Sequence, residues 1–600
     1  MKKTFPENGQ YLQNNRSNNQ GYGNLWSTCA MDFQSALGDA RISPRIKLNT
    51  GSLNNCPVAF VRFGQRIFAL AGTTIYRNTN ASGLPNDPFV ADTSTSASTD
   101  YSSDTSDMIG AWNIMLAISP TKLRSLSSPN GGVWSDRATV NTGLNHKLLY
   151  FKKRDRVYFT DQTVKSMDEA YNISTSGNYT LLGANTTGII DMKNTSQYIW
   201  FAVKTEGTFD QQGAVWQWDG LSAQLTEVFK IPGARSVVII VVDPTRDLPF
   251  AMSDKGILYE WNGASFSEAQ FGRLPYKYNI LPYMGADPAG TQNNDRFVHP
   301  NGSFYTTWGT LRFLINGLNM DSGATQNENL PSGIWEWHKD FGFIHIGSLS
   351  YDPISTAITD FGQEQLSRVG ALSDMNVPSV TAGRDGTFLA GATYFTNATA
   401  TASAIFYDNS NDTIQKKGYM VTDWWESNEV ADKWSSFWSV YRRFLVTSDS
   451  ITVKWRSIEE APISATITWI NTTSFTVLNS AIDVSAYWTS GTGGEVEILR
   501  GTGGALCAHI TNAVNTAGTW TVTIDETATG VTTGTAIARF QKWTKAFTAT
   551  GTATPANFAP FAMGENSEPR IMVKICFTFT GQGEFYKGIV ASNEDVQATK

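Results

Sequence analysis

Six hundred residues exceed what a single hydrophobic core serves, so two or more domains are expected. Hydrophobic residues make up 41% and aromatics 12%, ample for large cores, while only 16% are charged against about 25% in an average protein. A net charge of −7 excludes the whole-molecule basic field that draws a chain to nucleic acid or anionic lipid.

Ser, Thr, Asn and Gly dominate the polar remainder. Thr and aromatics suit pleated strands, and Gly, Asn and Asp suit tight turns, so the class is all-β. The cysteines Cys29, Cys56, Cys507 and Cys576 are scattered without C-x-x-C spacing. That argues against a disulfide framework or zinc site and fits folding in a reducing cytoplasm. Lys2 and Lys3 precede no apolar run, so no secretory signal is read. The longest aliphatic run, Val237 to Val242, is too short to enter a bilayer and reads as a strand buried on both faces.

In chain order, residues 1–54 are read as a docking segment. Lys2, Lys3, Arg16, Arg41, Arg45 and Lys47 stand against Glu7, Asp32 and Asp39, a net of +3 over residues 1–50. Arg41, Arg45 and Lys47 are the interface candidates there; a basic terminus without a fixed fold is the alternative.

Residues 55–411 carry a weak repeat. Gly213-Ala-Val-Trp-Gln-Trp-Asp-Gly220 is echoed by Gly256-Ile-Leu-Tyr-Glu-Trp-Asn-Gly263 and shortened as Gly333-Ile-Trp-Glu-Trp337. The first two copies lie 43 residues apart, within the period of about 40–45 expected for four-stranded propeller blades. Each copy has a Gly entry, an alternating strand and, in the first two, a turn pair that closes a hairpin. An apolar strand precedes each: Tyr198 to Val203, Pro249 to Met252, and Leu311 to Ile315. Looser relatives at Arg66–Tyr76, Arg156–Phe159 and Thr387–Tyr407 extend the tiling to a β-propeller of roughly seven blades. An irregular large β-sandwich is the competing architecture. The recurring Trp216, Trp218, Trp261, Trp335 and Trp337 read as packing between blades. Asn80–Ser106, Gly285–Asn294 and Asn319–Pro331 read as long face loops.

From about 412 the character changes. Trp424, Trp425, Trp434, Phe437, Trp438 and Tyr441 crowd together, and a short helix is allowed around Glu429–Trp438. Residues 412–460 and 541–600 are assigned to a β-sandwich-like domain, and 461–540 to an inserted small β-barrel. Trp424, Trp425, Trp434 and Trp438 are interface candidates because aromatics concentrate at interface hot spots.

Chemistry is sparse, and the chain is read as non-catalytic, with no cofactor and no metal site. His146, His299, His338, His345 and His509 show no ligand spacing, though His338 and His345 fall in adjacent strands. There is no G-x-S-x-G nucleophile elbow, and Gly501-Thr-Gly-Gly504 reads as a hairpin turn rather than a phosphate loop. Glycoside hydrolysis would need paired carboxylates, yet Asp219, Glu260, Glu336 and Asp385 sit at repeat or turn positions. Asp408, Asn411 and Asp412 form a polar loop without EF-hand spacing.

The run Ala36-Leu-Gly-Asp-Ala-Arg-Ile-Ser-Pro-Arg-Ile-Lys-Leu-Asn49, then Pro57-Val-Ala-Phe60 and Ile67-Phe-Ala-Leu70, resembles structural proteins of tailed bacteriophages. So does Trp434-Ser-Ser-Phe-Trp438 leading to Ser450-Ile-Thr-Val-Lys-Trp455. In architecture the chain is similar to the propeller-bearing nozzle proteins of short-tailed phages. That resemblance implies a homo-oligomeric ring in the virion tail, a nozzle, hub or tail-tip component bound to an adaptor, tube or fibre. Two rivals remain: a host receptor- or glycan-binding tail protein, suggested by 19 Trp and the long loops, and a propeller glycosidase. Contact with DNA is left open.

Overall fold

Burial falls from strand to strand along the repeat, and that gradient explains the architecture. In one four-stranded sheet, Val237–Asp243 and Leu248–Ser253 are almost wholly buried, Ile257–Trp261 half so, and Phe266–Arg273 alternates between core and solvent. A strand covered on both faces by neighbouring sheets is apolar throughout, whereas the fourth strand at the rim buries only Phe266, Ala269 and Gly272.

The computed structural model describes all residues except 1, 6–24, 30, 33–39, 43–45, 81–86, 93–99, 103–104, 131, 142–145, 162, 180–186, 206–212, 235, 275–296, 307–308, 320–324, 327–331, 340–341, 348, 350–365, 376–387, 396–400, 409–416, 423–424, 427–433, 443–449, 457–462, 489–493, 503–505, 529–530, 532, 542–543, 551–555, 558–571, 581–583 and 593–600. The described fold is all-β; its only helical pieces are single 3-10 turns at Lys152–Arg154 and Val484–Ala486.

Seven antiparallel sheets of four strands follow one another. Sheet 1 holds Pro57–Phe63, Arg66–Ala71, Thr74–Asn78 and Phe89–Ala91. Sheet 2 holds Asp107–Ala111, Ile114–Ile118, Lys122–Leu126 and Ser135–Thr139. Sheet 3 holds Leu148–Phe151, Arg156–Asp161, Thr163–Met167 and Ile173–Tyr179. Sheet 4 holds Thr187–Asn194, Ile199–Thr205, Ala214–Trp218 and Glu227–Lys230. Sheet 5 is the one whose burial was given above. Sheet 6 holds Val298–Tyr305, Leu311–Ile315, Gly333–His338 and Gly342–Gly347. Sheet 7 holds Leu366–Asp374, Phe388–Phe395 and Thr401–Asp408, and its fourth strand is Ile46–Leu53 from near the N-terminus. First strands of consecutive sheets lie side by side, and that of sheet 7 returns to that of sheet 1. The arrangement is propeller-like.

Apolar seams join the sheets. Trp218 at the end of the third strand of sheet 4 meets Tyr158 on the second strand of sheet 3, ring centroids 5.4 Å apart. Trp261 of sheet 5 meets Trp200 of sheet 4 at 5.3 Å, and Trp337 of sheet 6 meets Phe250 of sheet 5 at 5.5 Å. The same repeat position therefore docks each sheet onto the one before it, each pair adding about 0.5–1.5 kcal/mol beyond its buried area.

Two sheets of six strands combine segments from both chain ends. One orders Met31–Asp32, Ala40–Ile42, Glu584–Ser592, Trp434–Arg442 and Ala556–Asn557, with Lys2–Phe5 also on Glu584–Ser592. The other orders Leu25–Cys29, Lys417–Thr422, Met572–Thr580, Ser450–Arg456 and Thr544–Thr550, with Trp425–Glu426 also on Met572–Thr580. Ser450–Arg456 pairs with Thr544–Thr550, and the chain between them closes a six-stranded barrel. Its order is Ile463–Asn471, Ser474–Leu478, Thr519–Ile524, Leu506–Thr516, Glu495–Gly501, Gly534–Gln541 and back to the first.

Three expectations are corrected. The described parts of residues 1–54 do not stand apart as a docking segment. Ile46–Leu53 completes sheet 7, and the earlier strands join the six-stranded sheets, because each has backbone groups to pair and an edge to pair with. Trp434–Arg442 is a strand along Glu584–Ser592, not the end of a helix; cross-strand pairing outweighs its ambiguous local pattern, and 429–433 lies outside the described residues. Asn80–Ser106 is not all loop, since Phe89–Ala91 pairs with Thr74–Asn78.

Candidate interaction surfaces

Side chains of the inner strands bridge sheets across the ring. The first strand of sheet 6 slips register between Val298 and Ser303. The slack carries Asn301 to sheets 1 and 2, where its Nδ2 donates to the Val58 carbonyl and to Asp107 Oδ1, each at 3.0 Å. Asp107 Oδ2 accepts the Leu148 backbone N–H of sheet 3 at 3.0 Å. Asp191 of sheet 4 likewise accepts from Ile240 N–H of sheet 5 at 2.8 Å. These buried carboxylates accept amides of first strands, whose inner edge no further strand of their own sheet pairs.

The residues tested for chemistry are held apart by local partners. Asp219 caps its own turn, accepting from the N–H groups of Leu221 and Ser222 at 2.9 and 2.7 Å. Glu260 faces Arg246 at 3.2 Å, while buried Glu336 faces Arg312 at 2.7 Å in the next sheet. Asp385 lies outside the described residues. Buried His345 sets Nε2 3.1 Å from the Ser332 carbonyl, and burial pushes its pKa down to about 4. The ring nitrogens of His146 lie 2.7 and 3.1 Å from the carbonyls of Thr160 and Asn141. His299 accepts from Asn301 N–H, and His509 bonds Asp525 at 3.1 Å. Cys56 is buried, with its Sγ 3.9 Å from the Pro57 carbonyl oxygen. No group of three metal-ligating side chains comes together among the described residues. Asp408 ends a strand; Asn411 and Asp412 lie outside the described residues. Gly501 leads out of one barrel strand into the next, which runs antiparallel to it.

On one face of the ring the turns between first and second strands are linked from sheet to sheet. Trp112 Nε1 of sheet 2 donates to Asp155 of sheet 3 at 2.7 Å. Lys153 donates to the Gln197 side chain of sheet 4 at 2.7 Å, and Ser196 N–H donates to Asp247 of sheet 5 at 2.6 Å. Beside it, Asp243 accepts from Thr245 and Arg246. Burial alone would raise its pKa, but those hydrogen bonds hold it at about 2. A chain of short turns braced this way makes a stiff polar rim.

The barrel presents a different surface. Its core is apolar, with Ile467, Trp469, Phe475, Val522 and Phe540 among its buried residues. On the side toward the six-stranded sheets, buried Lys454 pairs with Glu495 at 2.8 Å, and Arg539 pairs with Glu497. Three strands elsewhere, Ile463–Asn471, Ser474–Leu478 and Thr519–Ile524, contain no Asp, Glu, Lys or Arg, although exposed Asp483 and Asp525 follow the last two. Thr468, Thr476, Thr521 and Val514 stand in one cross-strand row. Ile470, Leu478 and Val514, 49%, 59% and 50% exposed, punctuate this threonine sheet.

Of the described sequence candidates, all but Lys47, which lies in sheet 7, fall on the six-stranded sheets. Arg41 pairs with Asp32 and Glu584 in register, and Lys47 with Tyr407. Trp425 lies opposite Val573, Trp434 opposite Ser592 and Trp438 opposite Val590. Trp434 and Trp438 thus share a strand; the others are spread over separate strands. Arg45 and Trp424 lie outside the described residues. The barrel face escaped the sequence reading, although the run of Thr at alternate positions in Thr519–Ile524 was a signal for it.

No protein family matches this chain, and no curated protein does. Among solved structures, one match comes from a complex of S. cerevisiae Dbp5 bound to Nup159, Gle1, IP6 and ADP. It is 11% identical, covers 64% of this chain and 98% of that one, and has a TM-score of 0.35, too low to carry an argument. No helix of the described residues is long and apolar enough to cross a membrane.

Proposed function

We propose that this chain is a structural subunit of a bacteriophage virion, a tail component of nozzle, hub or tail-tip type that acts through protein–protein interfaces rather than catalysis. In this reading the seven sheets are the blades of a seven-bladed β-propeller. The two six-stranded sheets form a β-sandwich, and the barrel projects from it.

The observation that carries the reading is the uncharged outer face of the barrel. A chain of net charge −7 repels its own copies except where charge is missing, and here the missing charge coincides with exposed Ile470, Leu478 and Val514. A flat β surface of Thr and aliphatic side chains suits contact with a second copy of this chain in a ring, where repetition multiplies modest contacts. The inner-strand bridges and locally paired carboxylates agree with a scaffold. The phage assignment rests on the sequence resemblance at both chain ends. Adaptor, tube or fibre proteins are the partners this role requires, and the virion tail is the location.

The test is to image particles from a phage encoding this chain and fit the seven-sheet ring into the tail density. Repeated copies around the tail axis with barrels touching are expected. Particles lacking the protein would overturn the assignment.

A further inference from the structure

The seam between sheets 2 and 3 carries left-handed backbone on both sides. The two-residue turn joining Asp107–Ala111 to Ile114–Ile118 has positive φ at both Trp112 (47°) and Asn113 (57°). That is the type I′ geometry, which favours Asn and Gly and has no use for an indole. Across the seam Asp155 is also left-handed, at φ 48°. The two strained residues hold each other: Trp112 Nε1 donates to Asp155 Oδ1 at 2.7 Å, and the Tyr150 hydroxyl donates to the same oxygen at 2.7 Å. The Trp112 and Tyr150 rings stand at 72° with centroids 5.5 Å apart, forming an aromatic corner. Both rings are only half-buried and Asp155 is exposed. Among the described residues both hydrogen bonds go to Oδ1 and leave Asp155 Oδ2 open, and the residue's pKa is lowered by the hydrogen bonds from Tyr150 and then Trp112.

Strain kept at an exposed aromatic tip, with a carboxylate oxygen fixed beside it, is the mark of a site rather than of packing. Two ligand classes meet an aromatic corner with a carboxylate: organic cations and saccharides. The charges nearby decide. Lys152, Lys153, Arg154 and Arg156 flank Asp155, so the local field disfavours a cation. We propose that Trp112, Tyr150 and Asp155 form a saccharide-binding site, the C–H face of a sugar ring stacking on the indole and a sugar hydroxyl donating to Asp155 Oδ2. The site is distinct from the barrel face and does not depend on the assembly reading.

The test is binding of the labelled full chain to a printed array of microbial oligosaccharides, one arm neutral and one bearing uronic acids. Binding in at least one arm is expected, lost tenfold or more in both Trp112→Ala and Asp155→Ala, and weakened a few-fold in Tyr150→Phe. Near-UV circular dichroism identifies any variant that has lost its fold, and Tyr150→Phe, which keeps both rings, then decides. No signal in either arm, or binding unchanged in Trp112→Ala or Asp155→Ala, overturns the proposal. A preference between the arms tells whether the basic flank takes part.

Discussion

The ring of sheets and the barrel bury polar groups to opposite ends. In the ring, carboxylates lie inside and reach across seams: Asp107 to Leu148 and Asn301, Asp191 to Ile240. Its outer rim is polar and braced by its own neighbours. In the barrel, the buried charges sit where it meets the six-stranded sheets, and three strands away from that junction carry none. The ring thus satisfies its polar groups within itself, while the barrel leaves a surface that gains from being covered.

The contrast breaks most severely where the ring is tightest. A Cβ on Gly370 would lie 1.8 Å from the Pro57 carbonyl oxygen across the junction of sheets 7 and 1. Gly370→Ala is expected to cost about 3 kcal/mol in urea unfolding; a cost near zero would mean the closure is loose. At the barrel junction, Lys454→Met strands Glu495 at a buried position and should cost about 3–5 kcal/mol. The double change with Glu495→Met should recover most of it, as buried pairs do when both partners become apolar. A double variant as unstable as the single one would place the stabilisation elsewhere.

His345 supplies a pH test inside the ring. Its folded pKa of about 4 lies below the ordinary 6.5, so the unfolded chain binds the proton more readily. Stability is therefore full above pH 6.5 and falls as pH drops toward 4, by roughly 3 kcal/mol in all. His345→Asn should flatten the ring's unfolding profile in that window, and a slope that persists would assign it to another group. Smaller still, Asp191→Ala leaves the buried Ile240 amide without its acceptor and should cost about 1–3 kcal/mol.

The sequence made the second and third strands of the sheets legible because they alternate and end in turn pairs. Leu311–Ile315 has the bounds expected of it, and the repeat copies occupy third strands in sheets 4, 5 and 6. The fourth strands were harder. Phe89–Ala91 and Glu227–Lys230 are short and mostly exposed, so they resemble loops until a neighbour pairs with them. Ile46–Leu53 could not be placed at all from local pattern, since its partner lies more than 350 residues away in sequence. The Trp112 corner was invisible for a related reason: its members come from adjacent sheets, and no spacing rule links an indole to a carboxylate 43 residues on.

Light scattering over a concentration series weighs the assembly claim most directly, comparing the parent chain with the Thr476→Lys and Thr521→Lys pair. The parent should grow from monomer toward a closed ring, while the lysine pair should stay monomeric with its unfolding midpoint unchanged, because surface changes of this kind alter stability by less than about 0.5 kcal/mol. A parent that remains monomeric throughout, or a lysine pair that assembles equally well, would contradict the account.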